Sequence, residues 1–291
     1  YAGDAITSGD NNTGIGYASL GANNSGSDNI AIGKDALLDN TTGANNVAVG
    51  VSALANNTTA NDNTAIGDDA LINNTTGTGN TALGKNALQT NVTGIENVGI
   101  GFNALSAHTG NETVAIGHEA LSTMTTAARN TAVGFECLTS NTTGYNNTAV
   151  GYVAGKAMTT GYQNTLVGDR AGTAITTGDN NTAIGQHALK TNQTADGNTA
   201  IGFDALTLST SGHSNTAVGN YALDANTEGV SAVAVGIHAL SGQTTGDNNV
   251  GVGYYAGQAI TTGDDNVAMG YASLHTLTTG SDSVAIGYAA L

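Results

Sequence analysis

The sequence predicts an all-β fold: a parallel β-solenoid with one 17-residue repeat per coil and about 17 coils. Three observations carry this. A glycine that follows an aliphatic residue recurs at Gly16, Gly33, Gly50, Gly67, Gly84, Gly101, Gly117, Gly134, Gly151, Gly168, Gly185, Gly202, Gly219, Gly236, Gly253, Gly270 and Gly287. Fifteen of the 16 intervals between these markers are 17 residues and one is 16, so residues 1–291 read as one continuous array. The repeats are rich in β-branched residues, with Asn, Gly, Asp and Thr clustered at one fixed place, which is strand-and-turn punctuation. A period this short leaves no room for a helix pair. Coils stacked about 4.8 Å apart would make a rod of roughly 80 Å.

Composition agrees. The 291 residues include 42 Gly, no Pro, no Trp and one Cys, and only 4% are aromatic. Few side chains are large enough for a wide core, but a thin one can be filled by Ala between close backbone layers. Absence of Pro fits, because Pro deletes a ladder hydrogen bond in every coil it enters. The array begins and ends inside a repeat without an atypical cap, which reads as a segment of a longer protein.

Each element of the repeat can then be justified in chain order. Four places before the marker stands Asn in 14 of 17 repeats: Asn12, Asn29, Asn46, Asn63, Asn80, Asn97, Asn130, Asn147, Asn164, Asn181, Asn198, Asn215, Asn249 and Asn266. A column of identical amides can hydrogen-bond from rung to rung, or satisfy backbone groups at a turn, so it reads as a structural ladder. The strand follows, as in Thr64-Ala65-Ile66. It alternates a larger face (Thr or Val, then Ile or Val) with a tiny face of Ala or Gly. Neither face is charged, and a strand apolar on both faces is covered on both. One cover is the opposite wall of the coil and the other is a further layer or chain, which predicts an oligomer. The Thr present in about half of the copies is compatible with an exposed face.

After the marker come two variable places and then Ala and Leu, as in Ala70-Leu71. Cys137 occupies the alanine slot and reads as a small buried thiol. Leu is replaced by Gly at Gly155, Gly172 and Gly257, and the residue three further on, usually Asn, then becomes Met158, Ile175 or Ile260. Loss of one apolar group accompanies gain of another, so both positions feed one core pocket. Thr-Thr-Gly, as at 75–77, reads as the other corner, with Gly supplying a positive φ.

Chemistry is sparse. With six basic residues against 22 acidic ones and a net charge of −16, neither nucleic acid nor an anionic membrane is an expected partner. No apolar run approaches the roughly 18 residues needed to span a bilayer. No phosphate-binding glycine loop stands between a strand and a helix. The six histidines never fall in metal-ligand spacing. Asp247, Asp264 and Asp282 lie near one another on adjacent turns, where weak calcium binding competes with a solvated acidic corner. Sequons such as Asn40, Asn74, Asn91 and Asn141 are expected in a chain this rich in Asn and Thr. No nucleophile, base and orienting group act together. The expectation is therefore no catalytic residue, no cofactor and no metal. The suggestive column directly follows the marker and is aromatic in eight repeats: Tyr17, Phe102, Phe135, Tyr152, Phe203, Tyr254, Tyr271 and Tyr288. An outward aromatic row can stack on sugars or contact a partner, or its rings can pack on neighbouring rungs.

The stretches Ser283–Gly287 (SVAIG), Thr113–Gly117 (TVAIG) and Asn46–Gly50 (NVAVG) resemble the head repeats of trimeric autotransporter adhesins, the YadA-like β-roll. Repeat arrays of phage-type tail fibres are also similar. The resemblance spans essentially the whole chain and is more specific for architecture than for function. It implies a left-handed parallel β-roll, a homotrimer around one axis, an extracellular place on a bacterial cell surface or virion fibre, and an adhesive or spacer role toward a glycan or a host or matrix surface. Those heads typically use a shorter repeat, so this coil is expected to carry a larger turn. The other reading of the residues is a monomeric solenoid whose flat Thr-bearing side binds an ordered surface such as ice.

Overall fold

The computed structural model describes residues 1–291. It contains 17 strands of three residues, one per repeat, and no helix. The chain divides into two compact units, Tyr1–Asn146 and Asn147–Leu291. The first carries β1 (Thr13–Ile15), β2 (Ile30–Ile32), β3 (Val47–Val49), β4 (Thr64–Ile66), β5 (Thr81–Leu83), β6 (Val98–Ile100), β7 (Val114–Ile116) and β8 (Thr131–Val133). Each pairs with the next, parallel and in register, so that Thr64 lies beside Val47 on one side and Thr81 on the other. The second carries β9 (Thr148–Val150), β10 (Thr165–Val167), β11 (Thr182–Ile184), β12 (Thr199–Ile201), β13 (Thr216–Val218), β14 (Val233–Val235), β15 (Val250–Val252), β16 (Val267–Met269) and β17 (Val284–Ile286), paired the same way. Each unit is a parallel β-solenoid.

The backbone ladder does not stop where the strand stops. The amides of Gly67 and Asp69 donate to Val49 and Val51 of the preceding coil, at 2.8 and 3.0 Å, and those of Leu71 and Thr75 donate to Ala87 and Val92 of the following one, at 3.0 and 2.9 Å. The turn is therefore hydrogen-bonded from coil to coil like a strand, which satisfies buried backbone groups where the chain is not extended.

The marker glycine makes this closure. Its φ lies between 122° and 145° in every copy, a region that is essentially glycine-only. A Cβ on Gly67 would lie 2.5 Å from the carbonyl oxygen of Gly84 on the next coil. Conformation and spacing thus demand the same residue.

The second glycine corrects an expectation. The Thr-Thr-Gly corner glycine has no positive φ; at Gly77 the constraint is space, because a Cβ would lie 2.2 Å from the carbonyl of Gly94. The left-handed positions are filled by other residues, as at Asp62 (φ 59°), Asp69 (58°) and Leu71 (51°). A leucine there costs about 1–2 kcal/mol of backbone strain. Leu71 is fully buried, which returns about 1.5–3 kcal/mol, so burial wins. Gly155, Gly172 and Gly257 hold the same left-handed conformation, at 58°, 56° and 62°. A Cβ on Gly172 would meet the Ile175 Cδ1 at 2.8 Å, so the two positions share one pocket, as the paired substitutions indicate.

The interior has an apolar part and a polar part. Ala65, Ala70 and Leu71 are buried beside Asn63 and Asn74. The predicted Asn ladder exists: the Asn63 side-chain oxygen accepts the Asn80 amide at 2.9 Å, and the Asn80 side-chain nitrogen donates to that oxygen at 3.2 Å. Members from Asn29 to Asn266 are buried, and Asn12 is half-buried. A second buried ladder, which the sequence reading did not recognise, runs seven places after the marker through Asn23, Asn40, Asn57, Asn74 and Asn91. The two ladders converge: Nδ2 of Asn63 and Nδ2 of Asn74 both donate to the Gly77 carbonyl, each at 2.9 Å. Buried amides paired from coil to coil specify one register, because a slip orphans them together.

This geometry closes the predicted sequons. Asn40, Asn74, Asn91 and Asn141 are fully buried, and each Nδ2 donates to a carbonyl three residues on, at 2.9 to 3.0 Å. Secreted from a glycosylating host, the folded protein is expected to carry no glycan at these four positions. Glycopeptide mass spectrometry checks this; an occupied Asn74 in folded material would contradict the burial.

The 16-residue interval is a local exception inside the first unit. His108 takes the second-ladder place and Thr113 the first-ladder place, and both are fully buried.

Candidate functional sites on the surface

The structure decides which strand face is inside. The tiny face is interior: Ala65 and its equivalents are buried. The larger face points outward, leaving Ile66 38% and Leu83 44% exposed in the first unit, and Ile184 38% and Met269 39% in the second. A thin coil has room for Ala or Gly there, and for a larger side chain only at Leu166, where Gly172 opens the space. Elsewhere the bulkier residues of the strand are turned out of their own core. One cover, the opposite wall, is present. The other is not supplied by the chain itself. Across both outward columns no residue is charged, and in the second unit Thr148, Thr165, Thr182, Thr199 and Thr216 stand in register on consecutive strands.

The predicted aromatic row lies at the corner after the strand, and most of its rings lean on neighbours. Phe102 and Phe135 sandwich His118, with centroids 5.3 and 5.1 Å away. Tyr254 stacks on Tyr271 at 5.5 Å, and Tyr271 on Tyr288 at 5.0 Å. The Arg170 guanidinium lies 5.5 Å from the Tyr152 ring centroid. Phe203 is half-buried and meets Tyr221 edge-on at 5.3 Å. Tyr17, 72% exposed, faces a coil that offers Lys34 in the same column.

Sequence reasoning missed the adjoining column. There His238 is sandwiched between Tyr221 at 4.9 Å and Tyr255 at 5.1 Å, and Tyr255 meets Tyr254 edge-on at 4.1 Å. The available signal was the aromatic and imidazole side chains two places after the marker at His187, Tyr221, His238 and Tyr255. Rings stacked along the column spend their faces on one another and present edges and hydroxyls to solvent. The face-on packing that sugars prefer is thereby reduced.

Several aspartates brace the corner from coil to coil. Asp247 and Asp264 share one column and each accepts a backbone amide of the preceding coil, from Val230 and Asp247, both at 2.8 Å. Asp282 belongs to a different column, its amide donating to the Asp264 carbonyl at 3.1 Å. No group of three or more His, Cys, Asp or Glu side chains has metal-ligating geometry. His187 Nδ1 lies 3.0 Å from Asp204, the only close imidazole–carboxylate pair among those described, and no nucleophile adjoins it. Lys85 pairs with Asp68 on the neighbouring coil at 3.0 Å, and that hydrogen bond raises the ammonium pKa. Burial raises the Asp224 carboxyl, and it pushes the Cys137 thiol up to about 12, which removes its thiolate at neutral pH. Scanned against known protein families and compared with curated proteins, the chain matches none.

Proposed function

We propose that the chain is a non-enzymatic repeat segment of an extracellular fibre, an adhesin head or fibre shaft on a bacterial cell or virion, and that three copies pack around one axis through their strand faces. The observation that carries this reading is the uncharged outward face, where Ile, Val, Leu or Met recurs on every coil, 36–69% exposed at twelve of its positions. Soluble monomers rarely leave so long an apolar strip uncovered, and burying it stabilises association by roughly 25 cal/mol per Å². Sedimentation or light scattering is expected to give three times the chain mass, and Ile66→Glu with Leu83→Glu to shift it toward the monomer. A wild-type chain that stays monomeric at micromolar concentration defeats the trimer. Glycan and matrix panels test the adhesive role.

The second reading, a monomer that binds an ordered surface such as ice, is favoured by one observation: five consecutive outward threonines in the second unit. Their hydroxyls repeat at the strand spacing of about 4.8 Å. Thermal hysteresis separates the two readings, since a shaft has none.

A further inference from the structure

We propose that Tyr254, Tyr271 and Tyr288 form an oxidative cross-linking site that joins consecutive coils of the second unit through dityrosine. These residues directly follow the marker glycines of three consecutive coils. Their rings are near-parallel, at 16° and 7°, with centroids 5.5 and 5.0 Å apart. All three are exposed, at 40%, 48% and 79%, so a diffusing oxidant reaches them and the rings have room to tilt together.

The chemistry needs one co-reactant, hydrogen peroxide acting through a haem peroxidase. One electron and one proton leave each of two neighbouring phenols. The two ring radicals couple carbon to carbon, ortho to their oxygens. The hydrogens on the coupled carbons then move to the oxygens, restoring both phenols. The peroxide takes up the two electrons and two protons and leaves as two waters. Coupling between rings held on one column does not wait for an encounter between molecules, which is the advantage of fixed proximity.

Neighbouring positions supply internal controls. Tyr17 is more exposed than Tyr254 or Tyr271, yet the next coil offers Lys34 in its column. Tyr221 and Tyr255 share a column but are separated by the His238 imidazole that stacks on both. The trio places phenol against phenol along one column on three consecutive coils.

The test is dilute full-length protein treated with peroxidase and hydrogen peroxide, read by dityrosine fluorescence and by mass spectrometry of linked peptides. Expected are products at the mass of the untreated protein's chain, two hydrogens lighter, joining Tyr254 to Tyr271 or Tyr271 to Tyr288. Tyr271→Phe keeps the ring stack and removes the central phenol. It is expected to lose the peptides linking Tyr254 to Tyr271 and Tyr271 to Tyr288, and with them most of the dityrosine fluorescence, while Tyr17→Phe leaves the yield unchanged. Any link between Tyr254 and Tyr255 is told apart by its peptide. Circular dichroism of both variants verifies the fold. The proposal is overturned if tyrosine is consumed without links from Tyr254 to Tyr271 or from Tyr271 to Tyr288, if Tyr271→Phe fluoresces as much as wild type, or if linked peptides carry Tyr17 as often as Tyr271.

Discussion

Gly67→Ala is expected to destabilise its coil by about 4 kcal/mol, at the severe end for a single substitution. Two costs add. The φ of 140° belongs to a region that non-glycine residues occupy only at about 1–3 kcal/mol. The new Cβ also stands 2.5 and 2.6 Å from the Gly84 carbonyl oxygen and carbon, which are backbone atoms fixed by the same coil-to-coil ladder and unable to swing aside. Thr76→Ala is the matched control: Thr76 is exposed at the corner, and its change should stay within about 0.5 kcal/mol. Because long repeat arrays lose two-state cooperativity, hydrogen exchange of the amides around Gly67 and Gly84 is the proper measurement. Equal protection in the two variants would refute the steric account.

Acidification is expected to loosen the His108 coil, and His108→Asn to abolish that sensitivity. Asn97 fixes the ring's state. Its Nδ2 donates to the Gly110 carbonyl at 2.8 Å, so its Oδ1 faces the ring and accepts from His108 Nε2 at 3.2 Å and from the Thr113 amide at 3.1 Å. An amide oxygen only accepts, so the hydrogen sits on Nε2 and Nδ1 is a bare acceptor. That Nδ1 and the Asn91 Oδ1 of the preceding coil are both buried without a partner. Elsewhere in the second ladder an asparagine donates to the oxygen of the coil before it, as Asn74 does to Asn57 at 3.1 Å. Histidine breaks the chain of donors, since its Nε2–H goes to Asn97 and position 108 offers no hydrogen to the Asn91 Oδ1.

Burial lowers the His108 pKa from 6.5 to about 4, against a smaller raising effect of the Thr125 carbonyl, and no charged group contributes. The folded value lies below the unfolded one, so the unfolded coil binds the proton first. Stability conferred by the neutral ring is therefore complete above about pH 6.5 and is lost as pH falls toward about 4, a total of about 3 kcal/mol. His108→Asn restores a donor to Asn91, adding about 1–3 kcal/mol at neutral pH. Hydrogen exchange across residues 102–124 at both pH values measures this. If the Asn variant opens with acid as readily as wild type, His108 is not the sensor.

Much of this was legible before folding. The period, the strand of three residues, the first Asn ladder and the obligatory marker glycine follow from columns repeated 17 times, because an internal repeat is its own alignment. The second ladder was less visible since Met124, Met158, Ile175 and Ile260 interrupt it, so a column seen to be usually Asn was read only as half of a shared core pocket. Likewise the corner glycine suggested a positive φ, and the structure instead gives that conformation to Leu71 and its equivalents, a choice burial decides against local preference. The aromatic residues could be named, but not their stacking, which depends on which ring the next coil places in reach.

By itself, then, the sequence determined the coil, its length and the residues that lock one coil to the next, because these are set by local sterics and by hydrogen bonds between identical positions. Only the tertiary structure decided which side of Thr64-Ala65-Ile66 faces the interior. Alternation distinguishes two faces without ranking them when neither is charged. The narrow coil ranks them by volume, keeping Ala65 inside and turning Ile66 out to solvent.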